Sequence, residues 1–219
     1  MWRKTLLMFC LMVAAPAAAQ THLANCQDMT RIHDQRILDC TQALETGNYG
    51  PAALSHAHFY RAVAYRAKKE WDRALQDIAE ADRLTSNDPS HFALLGGILR
   101  EIGQTDSAIE VLDQGIQRWR YNIGAYFERG ESWVVKGDHE RAWSDFDSAI
   151  GWRLGSSPFQ RGDELYTKAR AFNAPGMASA ALGRRAEAEA DFNEALRLDP
   201  YLVDAGPPLV THDSPRPSR

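Results

Sequence analysis

The histidines and acidic pairs are the residues of this chain best suited to hold a metal ion or transfer protons. A metal site needs several His, Cys, Asp or Glu side chains that converge on one point. His56 and His58 lie two positions apart on a predicted helix, so their side chains point in different directions. Pairs such as Asp145 with Asp147 fall on helix faces expected to meet solvent. We therefore predict no metal site and no cofactor.

The motifs of covalent and phosphoryl-transfer chemistry do not occur in the sequence either. We find no glycine-rich phosphate loop, no nucleophile elbow and no paired-carboxylate constellation. The residues thus favour a non-enzymatic protein.

The first twenty residues, MWRKTLLMFCLMVAAPAAAQ, place two basic residues before a short apolar run that ends in small residues. This pattern is typical of a secretory signal peptide, here residues 1–19 with cleavage after Ala19. The run is shorter than the roughly 20 residues of a membrane span, and no later segment is apolar enough to span. An uncleaved N-terminal anchor is the alternative. We expect export, to a bacterial periplasm, without an integral membrane span after cleavage.

Two cysteines, Cys26 and Cys40, follow the predicted cleavage site. Thiols in an oxidising compartment tend to pair, so we predict a Cys26–Cys40 disulfide. A disulfide needs Cα atoms within about 7 Å, whereas 14 residues of continuous helix would separate them by about 21 Å. The chain must therefore reverse between them, and we place the turn near residues 32–34. Two free buried cysteines remain the alternative.

The charge of the exported chain bears on its partners. Removal of Arg3 and Lys4 with the signal peptide leaves 23 basic against 29 acidic residues, a net charge of −6. Binding to a phosphate backbone requires clustered lysine and arginine. We predict no nucleic-acid partner.

A repeat of 34 residues organises most of the chain. Ala74, Ala108 and Ala142 are spaced by 34 residues, and Gly103 and Gly137 repeat the interval five residues upstream. The resulting segments are 55–88, 89–122 and 123–156. Residues 169–202 form a fourth copy. Its equivalent alanine, Ala188, follows Ala142 by 46 residues instead of 34, so we place an insertion of twelve residues at 157–168.

Each copy predicts two helices that pack closely. The first helix carries a small residue, which is Ala62, Gly96 or Gly130. The second alternates small and large residues at helical spacing, as in Ala142, Phe146 and Ala149. Small residues let two antiparallel helices approach, and the large residue fills the space between them.

A 34-residue helical unit of this pattern resembles the tetratricopeptide repeat. Segments such as AYFERGESWVVKGDHERAWSDFDSAI and GRRAEAEADFNEALRLDP carry the likeness, which covers residues 55–200. It implies an all-α fold, an α-solenoid of about four helix–turn–helix repeats with an N-terminal capping helix. The late proline of the pattern is present only as Pro200. Pro175 lies inside the first helix of the fourth copy, where it predicts a kink or break.

The flanks of the solenoid, which we assign to residues 55–203, are expected to differ. Residues 20–54 form an N-terminal cap that contains the helix RILDCTQALETGN and the disulfide. Residues 204–219 are predicted to be a disordered tail, because four prolines fall in the last thirteen residues.

The likeness also implies a binding surface. In tetratricopeptide-repeat proteins the first helices line a concave groove that binds peptides. The matching positions are His56, Phe59, Val63 and Arg66 in the first copy, Ser90, Ala93, Gly97 and Arg100 in the second, and Gly124, Phe127, Glu131 and Val134 in the third. We expect Phe59, Val63 and Phe127 to be apolar anchors. Arg66 and Arg100 would hold one carboxylate between them.

The alternative to the groove is that binding uses a convex face or the insertion. Trp119, between two arginines in a predicted turn, is the aromatic residue most suggestive of a second interface. The sequence thus predicts a module that binds a partner polypeptide in the groove, or a self-associating subunit of a cell-envelope complex.

Overall fold

The computed structural model describes residues 17–46, 49–86, 88–156 and 164–198, and this part of the chain forms ten helices and no strand. The predicted all-α fold is therefore confirmed. The chain divides into two compact units, Met1–Ser86 and Asn87–Arg219. Most of the predicted signal peptide and the whole predicted tail lie outside the described residues.

Unit 1 contains two antiparallel helix pairs. Its helices are α1 (Ala17–Gln27), α2 (His33–Thr46), α3 (Pro51–Ala67) and α4 (Trp71–Leu84). Helix α3 packs against α1, α2 and α4, so the N-terminal segment supplies a complete helix pair rather than a single capping helix. Helix α3 also begins four residues before the predicted repeat, with Pro51 in its first turn.

The turn between α1 and α2 is held by a buried arginine. The Arg36 side chain donates to the carbonyl oxygens of Met29 and Arg31, at 2.7 and 3.1 Å, and to that of Asp28 at 3.3 Å. These carbonyls belong to a turn that has no helical donors, so the guanidinium satisfies them. The chain therefore reverses at residues 28–32, slightly before the predicted position, and α2 already begins at His33.

Unit 2 contains three further helix pairs. Its helices are α5 (Pro89–Glu101), α6 (Thr105–Arg118), α7 (Ile123–Val135), α8 (His139–Ser156), α9 (Glu164–Ala181) and α10 (Arg185–Leu198). Asp88 caps α5 by accepting from the Ser90 amide at 2.9 Å, with Pro89 as the first helical residue. Asn122 caps α7 by accepting from the Ala125 amide at 3.1 Å.

Close contact between a glycine of the first helix and a large residue of the second fixes each pair in unit 2. A Cβ atom at Gly96 would lie 2.4 Å from Leu112, and one at Gly130 would lie 2.6 Å from Phe146. Gly176 stands in the same relation to Phe192, at 2.8 Å. The predicted pairing of small and large residues is thus seen in the second and third copies. The structure adds Gly176 for the fourth.

The turn between the two helices of a pair requires left-handed backbone at one position. Gly103, Gly137 and Gly183 have φ angles of 87°, 75° and 73°. Glycine reaches this region without steric cost. Lys69 occupies the equivalent position in the first copy and has a φ of 60°.

Helix α9 runs without interruption from Glu164 to Ala181, so of the kink or break predicted at Pro175 the break does not occur, and the kink stays a prediction. Ala174 and Ala178, on either side of the proline, are buried in a cluster with Ala142 and Phe146 of α8, and Gly176 permits the close approach to α10 described above. Tertiary packing of this kind outweighs the local cost of proline in a helix. Part of the predicted insertion, residues 164–168, is the first turn of α9, whereas residues 157–163 lie outside the described residues.

Candidate partner-binding surface

The four predicted groove residues of the first copy lie on α3 in unit 1. His56 is exposed, and Phe59, Val63 and Arg66 are half-buried. The ring of Phe59 packs edge-on against that of Tyr60, with centroids 5.4 Å apart. One helix thus presents an aromatic ring, an aliphatic side chain and a guanidinium that each remain partly accessible.

The predicted groove residues of the second and third copies lie on α5 and α7, which pack side by side in unit 2. Gly97 is buried and Ala93 half-buried. A Cβ atom at Gly124 would lie 3.0 Å from the Cβ of Ala93, so the two helices approach closely at this point. Small side chains therefore lie where α5 and α7 approach each other, and their role as the floor of a binding groove stays a prediction.

Arg100 is engaged within unit 2. Its Nη2 donates to Oε2 of Glu128 on α7 at 3.0 Å and lies 3.7 Å from a carboxylate oxygen of Glu101. Only 16% of the Arg100 side chain is exposed. Its buried Nε has no acceptor among the described residues. Since Arg66 belongs to unit 1, the carboxylate site shared by Arg66 and Arg100 stays a prediction.

Phe127 contributes to the core as well as to the surface. Its ring lies 5.6 Å from that of Phe146, and it packs against the buried cluster formed by Ala142, Phe146 and their neighbours. Glu131, one helical turn further on, is half-buried. Phe127 is thus a partly buried wall of the surface rather than a free anchor.

The fourth copy extends this surface with residues that sequence reasoning missed. Adding the 46-residue offset to Phe127 and Glu131 gives Asn173 and Met177 on α9, which contacts α7. Asn173 is buried, whereas Met177 is 48% exposed. The offset between the third and fourth copies was the signal that identifies them.

Buried ion pairs behind this surface tie first helices to second helices. In unit 1 the Nε and Nη2 of Arg61 donate to the two carboxylate oxygens of Asp77, both at 2.7 Å. His58 Nδ1 lies 2.8 Å from Asp77 Oδ1, and Arg61 Nη1 donates to Thr41 at 3.0 Å. Although burial acts in the other direction, these hydrogen bonds lower the pKa of Asp77.

The third copy repeats this arrangement in unit 2. Arg129 donates to both carboxylate oxygens of Asp145, at 2.8 and 2.6 Å, and to Asp113 on α6 at 2.5 Å. Burial opposes the charged guanidinium, yet these two carboxylates raise the pKa of Arg129 above its ordinary value. The sequence signal was a repeat of 68 residues, because both the Arg and the Asp recur at that interval.

Trp119, which the sequence suggests as part of a second interface, is less accessible to a partner than expected. The side chain is half-buried, and its ring lies 5.6 Å from that of Phe92. The Arg118 guanidinium lies 5.7 Å from the Trp119 ring centroid. Packing thus accounts for the position of this residue.

Cys26 and Cys40 come together in the core of unit 1. Their Cα atoms are 4.7 Å apart and their sulfur atoms 2.10 Å apart, which is the geometry of a disulfide. Both side chains are buried beside Ala57. Oxidation of the pair in the cell stays a prediction.

Neither a membrane span nor a metal-binding cluster is present among the described residues. No helix among them has both the length and the apolar character that crossing a membrane requires. No group of three or more His, Cys, Asp or Glu side chains in those same ranges is arranged to hold a metal ion.

Comparison with known proteins supports the repeat assignment. The tetratricopeptide-repeat family profile matches residues 169–201. No curated protein sequence matches the chain. The resemblance seen in the sequence is confirmed by this match and by the solved structures of similar fold.

Several of those solved structures are tetratricopeptide-repeat proteins. The APC/C hetero-tetramer Cut9–Hcn1 aligns with a TM-score of 0.72 at 20% identity over 83% of this chain, which spans 34% of that chain. TTC0263, a thermophilic TPR protein of Thermus thermophilus, aligns with a TM-score of 0.68 at 16% identity, over 85% of this chain and 94% of that one. YrrB, described as a TPR protein with an unusual peptide-binding site, aligns with a TM-score of 0.50 at 20% identity, over 88% and 97%. At these identities the likeness shows the fold alone.

Proposed function

We propose that this tetratricopeptide-repeat protein is a non-enzymatic module that holds a partner polypeptide on the surface of its first helices. Within unit 2 this surface, termed here the first-helix surface, comprises the faces of α5, α7 and α9 that carry Ala93, Gly97, Phe127, Glu131 and Met177. In unit 1 the corresponding face belongs to α3.

The observation that carries the proposal is the close approach of α5 and α7 over small residues. Ala93 and Gly124 bring the two helices close together, and Gly97 is buried one helical turn further along α5. Phe127 is half-buried and Met177 exposed beside these small residues, and both can provide apolar contacts. A packed helix array is ordered before the partner arrives. Binding then loses little conformational freedom on the module's side, which favours affinity.

The charges on this surface bear on the chemistry of the partner. Arg100 is paired with Glu128, so a partner carboxylate would have to displace an existing ion pair. Glu131 is half-buried and carries the opposite charge. We therefore favour a partner segment that binds through apolar side chains and its own backbone, with charge contacts at the edges of the surface.

The descriptions of two similar structures support a binding role. YrrB is described as having a peptide-binding site, and Cut9–Hcn1 is a hetero-tetramer. A fold shared at low identity supports the class of function, whereas the partner must be argued from the residues of this chain.

We place the protein in the bacterial periplasm because of the predicted signal peptide and the buried Cys26–Cys40 pair. Export would be tested by sequencing the N-terminus of protein recovered from the envelope fraction. A first residue of Gln20 supports the proposal. An intact Met1 on protein found in the cytoplasm contradicts it.

Capture of envelope proteins by the immobilised mature chain, with cross-linking and mass spectrometry, tests the binding surface. Glu131→Lys reverses a charge on the first-helix surface, and Glu110→Lys makes the same change on the exposed face of α6. The first variant should lose the captured partner and the second should retain it. A second comparison measures partner capture by the double variant Arg66→Ala/Arg100→Ala. Its control is Arg83→Ala on α4, which should capture the partner normally. Equal capture by all four variants would refute the proposal.

A second candidate function, self-association as a structural subunit of an envelope complex, is favoured by exposed apolar side chains in unit 1. Met29 and Ile32 lie in the turn between α1 and α2, Leu38 lies on α2, and Ile32 is 74% exposed. Light scattering on residues 20–219 distinguishes the two candidates. A chain that is monomeric at every concentration would rule out self-association.

A further inference from the structure

The fourth copy of the repeat retains the two acidic residues of an ion cluster but not the arginine that joins them in the third copy. In the third copy Arg129 on α7 bridges Asp145 on α8 and Asp113 on α6. The corresponding positions one copy later are Pro175, Asp191 and Asp147. Both carboxylates are therefore present, whereas proline replaces the arginine that would join them.

Packing of the fourth copy reproduces that of the third at this point. A Cβ atom at Gly176 would lie 2.8 Å from Phe192, much as one at Gly130 would lie 2.6 Å from Phe146. The same Cβ would lie 3.2 Å from the Cβ of Asp191. Asp191 is thus held against the turn of α9 that contains Pro175.

A second contact shows that the step from one copy to the next is also repeated. Lys136, in the turn between α7 and α8, pairs with Asp106 at the start of α6. Arg184, in the turn between α9 and α10, pairs with Glu140 at the start of α8, at 2.8 Å. Asp106 and Glu140 occupy equivalent positions, whereas Arg184 lies two positions after the equivalent of Lys136. In both copies an ion pair thus joins the turn between the two helices to the start of the second helix of the preceding copy.

Asp191 is partly buried and lies near other negative charges. Burial and the charges of Glu187 and Asp147 raise the pKa of Asp191 to about 6. Burial and the charge of Asp113 also raise the pKa of Asp145, although the hydrogen bonds from Arg129 act in the opposite direction. None of the described cations pairs with Asp191.

We propose that Asp147 and Asp191 bind the side chain of an arginine from a partner polypeptide. The internal precedent identifies the ligand, because a single guanidinium fills the equivalent pair of carboxylates through three nitrogen atoms. The planar fork of arginine suits two carboxylates on neighbouring helices, which the spherical ammonium of lysine does not match. This site lies on second helices, so it is separate from the first-helix surface and goes beyond the proposed function.

Titration of the mature chain with a short peptide of one arginine flanked by glycines, followed by amide chemical shifts, tests the proposal. The matched control peptide carries citrulline, which has the shape of arginine without its charge. The arginine peptide should shift the amides of residues 147 and 191 and the citrulline peptide should not. Asp191→Asn should weaken binding by at least about tenfold, since one carboxylate of the pair is lost. Glu110→Gln removes a charge elsewhere and should leave binding unchanged.

A variant that supplies the arginine internally provides a second readout. Pro175→Arg should pair with Asp191 and Asp147, and so block the peptide while leaving both carboxylates in place. Equal binding of the two peptides, or undiminished binding to Asp191→Asn, would overturn the proposal. Calcium chloride that shifts the same amides when the arginine peptide does not would also overturn it, in favour of a cation site. The groove variant Glu131→Lys should bind the arginine peptide normally, which separates this result from the test of the first-helix surface.

Discussion

Arg129 and Asp145 form a bidentate pair in which both carboxylate oxygens accept from one guanidinium, at 2.8 and 2.6 Å. The carboxylate is buried, and 20% of the arginine side chain is exposed. A buried charge is tolerated when its partner compensates for the loss of water. The pair therefore makes each side chain depend on the other.

Replacement of Arg129 by leucine should destabilise unit 2 strongly. The change leaves Asp145 buried without its cation, at a cost of about 3–5 kcal/mol in the free energy of unfolding. The second copy carries Leu95 and Val111 at the same positions, so Arg129→Leu/Asp145→Val installs an apolar pair that the fold already accepts. Urea unfolding, followed by circular dichroism, should show that the double variant recovers most of the loss. A double variant no more stable than the single one would contradict this account.

Gly130→Ala should destabilise unit 2 because the added methyl group would lie 2.6 Å from the ring of Phe146. Overpacking of this kind costs about 1–3 kcal/mol. The first copy pairs Ala62 with Ile78, so Gly130→Ala/Phe146→Ile reproduces a combination found in the same chain. Unfolding midpoints should fall for the single variant and partly recover for the double variant. No difference between Gly130→Ala and wild type would show that the contact relaxes without cost.

The helix pairs were predictable because their determinants are local and periodic. Ala74, Ala108 and Ala142, with the glycines of the turns, fix the 34-residue register, and the register fixes which residues face each other. The break expected at Pro175 was wrong because the packing of α9 against α10 through Gly176 is not visible in the local sequence.

The candidate site was less predictable than the fold. Arg100 was assigned to the surface by register, but its pairing with Glu128 depends on how α5 sits beside α7. The Arg61–Asp77 pair recurs as Arg129–Asp145, but the second copy has Leu95 and Val111 at these positions, and sequence reasoning did not identify the ion pair. Charge pairs between helices depend on three-dimensional distance, which a single sequence does not supply.

Free-thiol counting tests the Cys26–Cys40 disulfide. Their Cα atoms are 4.7 Å apart, so the bond needs no movement of the backbone. The exported protein, denatured without reductant, should contain no free thiol, and two thiols would contradict the prediction. The disulfide joins residues 14 positions apart, and closing a loop of this length stabilises a fold by about 3 kcal/mol. Cys40→Ser should therefore lower the stability of unit 1 by about that amount. Reductant should destabilise the wild type by a similar amount and leave the variant unchanged.

Asp191→Asn should change the dependence of stability on pH. The pKa of Asp191 in the folded protein is raised to about 6 from an ordinary value of 3.8, by burial and by the charges of Glu187 and Asp147. Between these values the folded state holds a proton that the unfolded state has released, so stability falls as the pH rises through 6. Asp191→Asn avoids this loss. The variant should therefore melt at a higher temperature than wild type at pH 7.5 and at the same temperature near pH 3.5.

The size of this pH effect is limited by solvent, because Asp191 is only half-buried. Screening reduces the expected difference to on the order of 1 kcal/mol. Glu110→Gln removes one negative charge from an exposed position on α6 and serves as the control, since it should melt with wild type at both pH values. Melting temperatures of Asp191→Asn that differ from wild type equally at both pH values would show that the effect comes from packing. A gain confined to the higher pH assigns it to the ionised carboxylate beside Asp147.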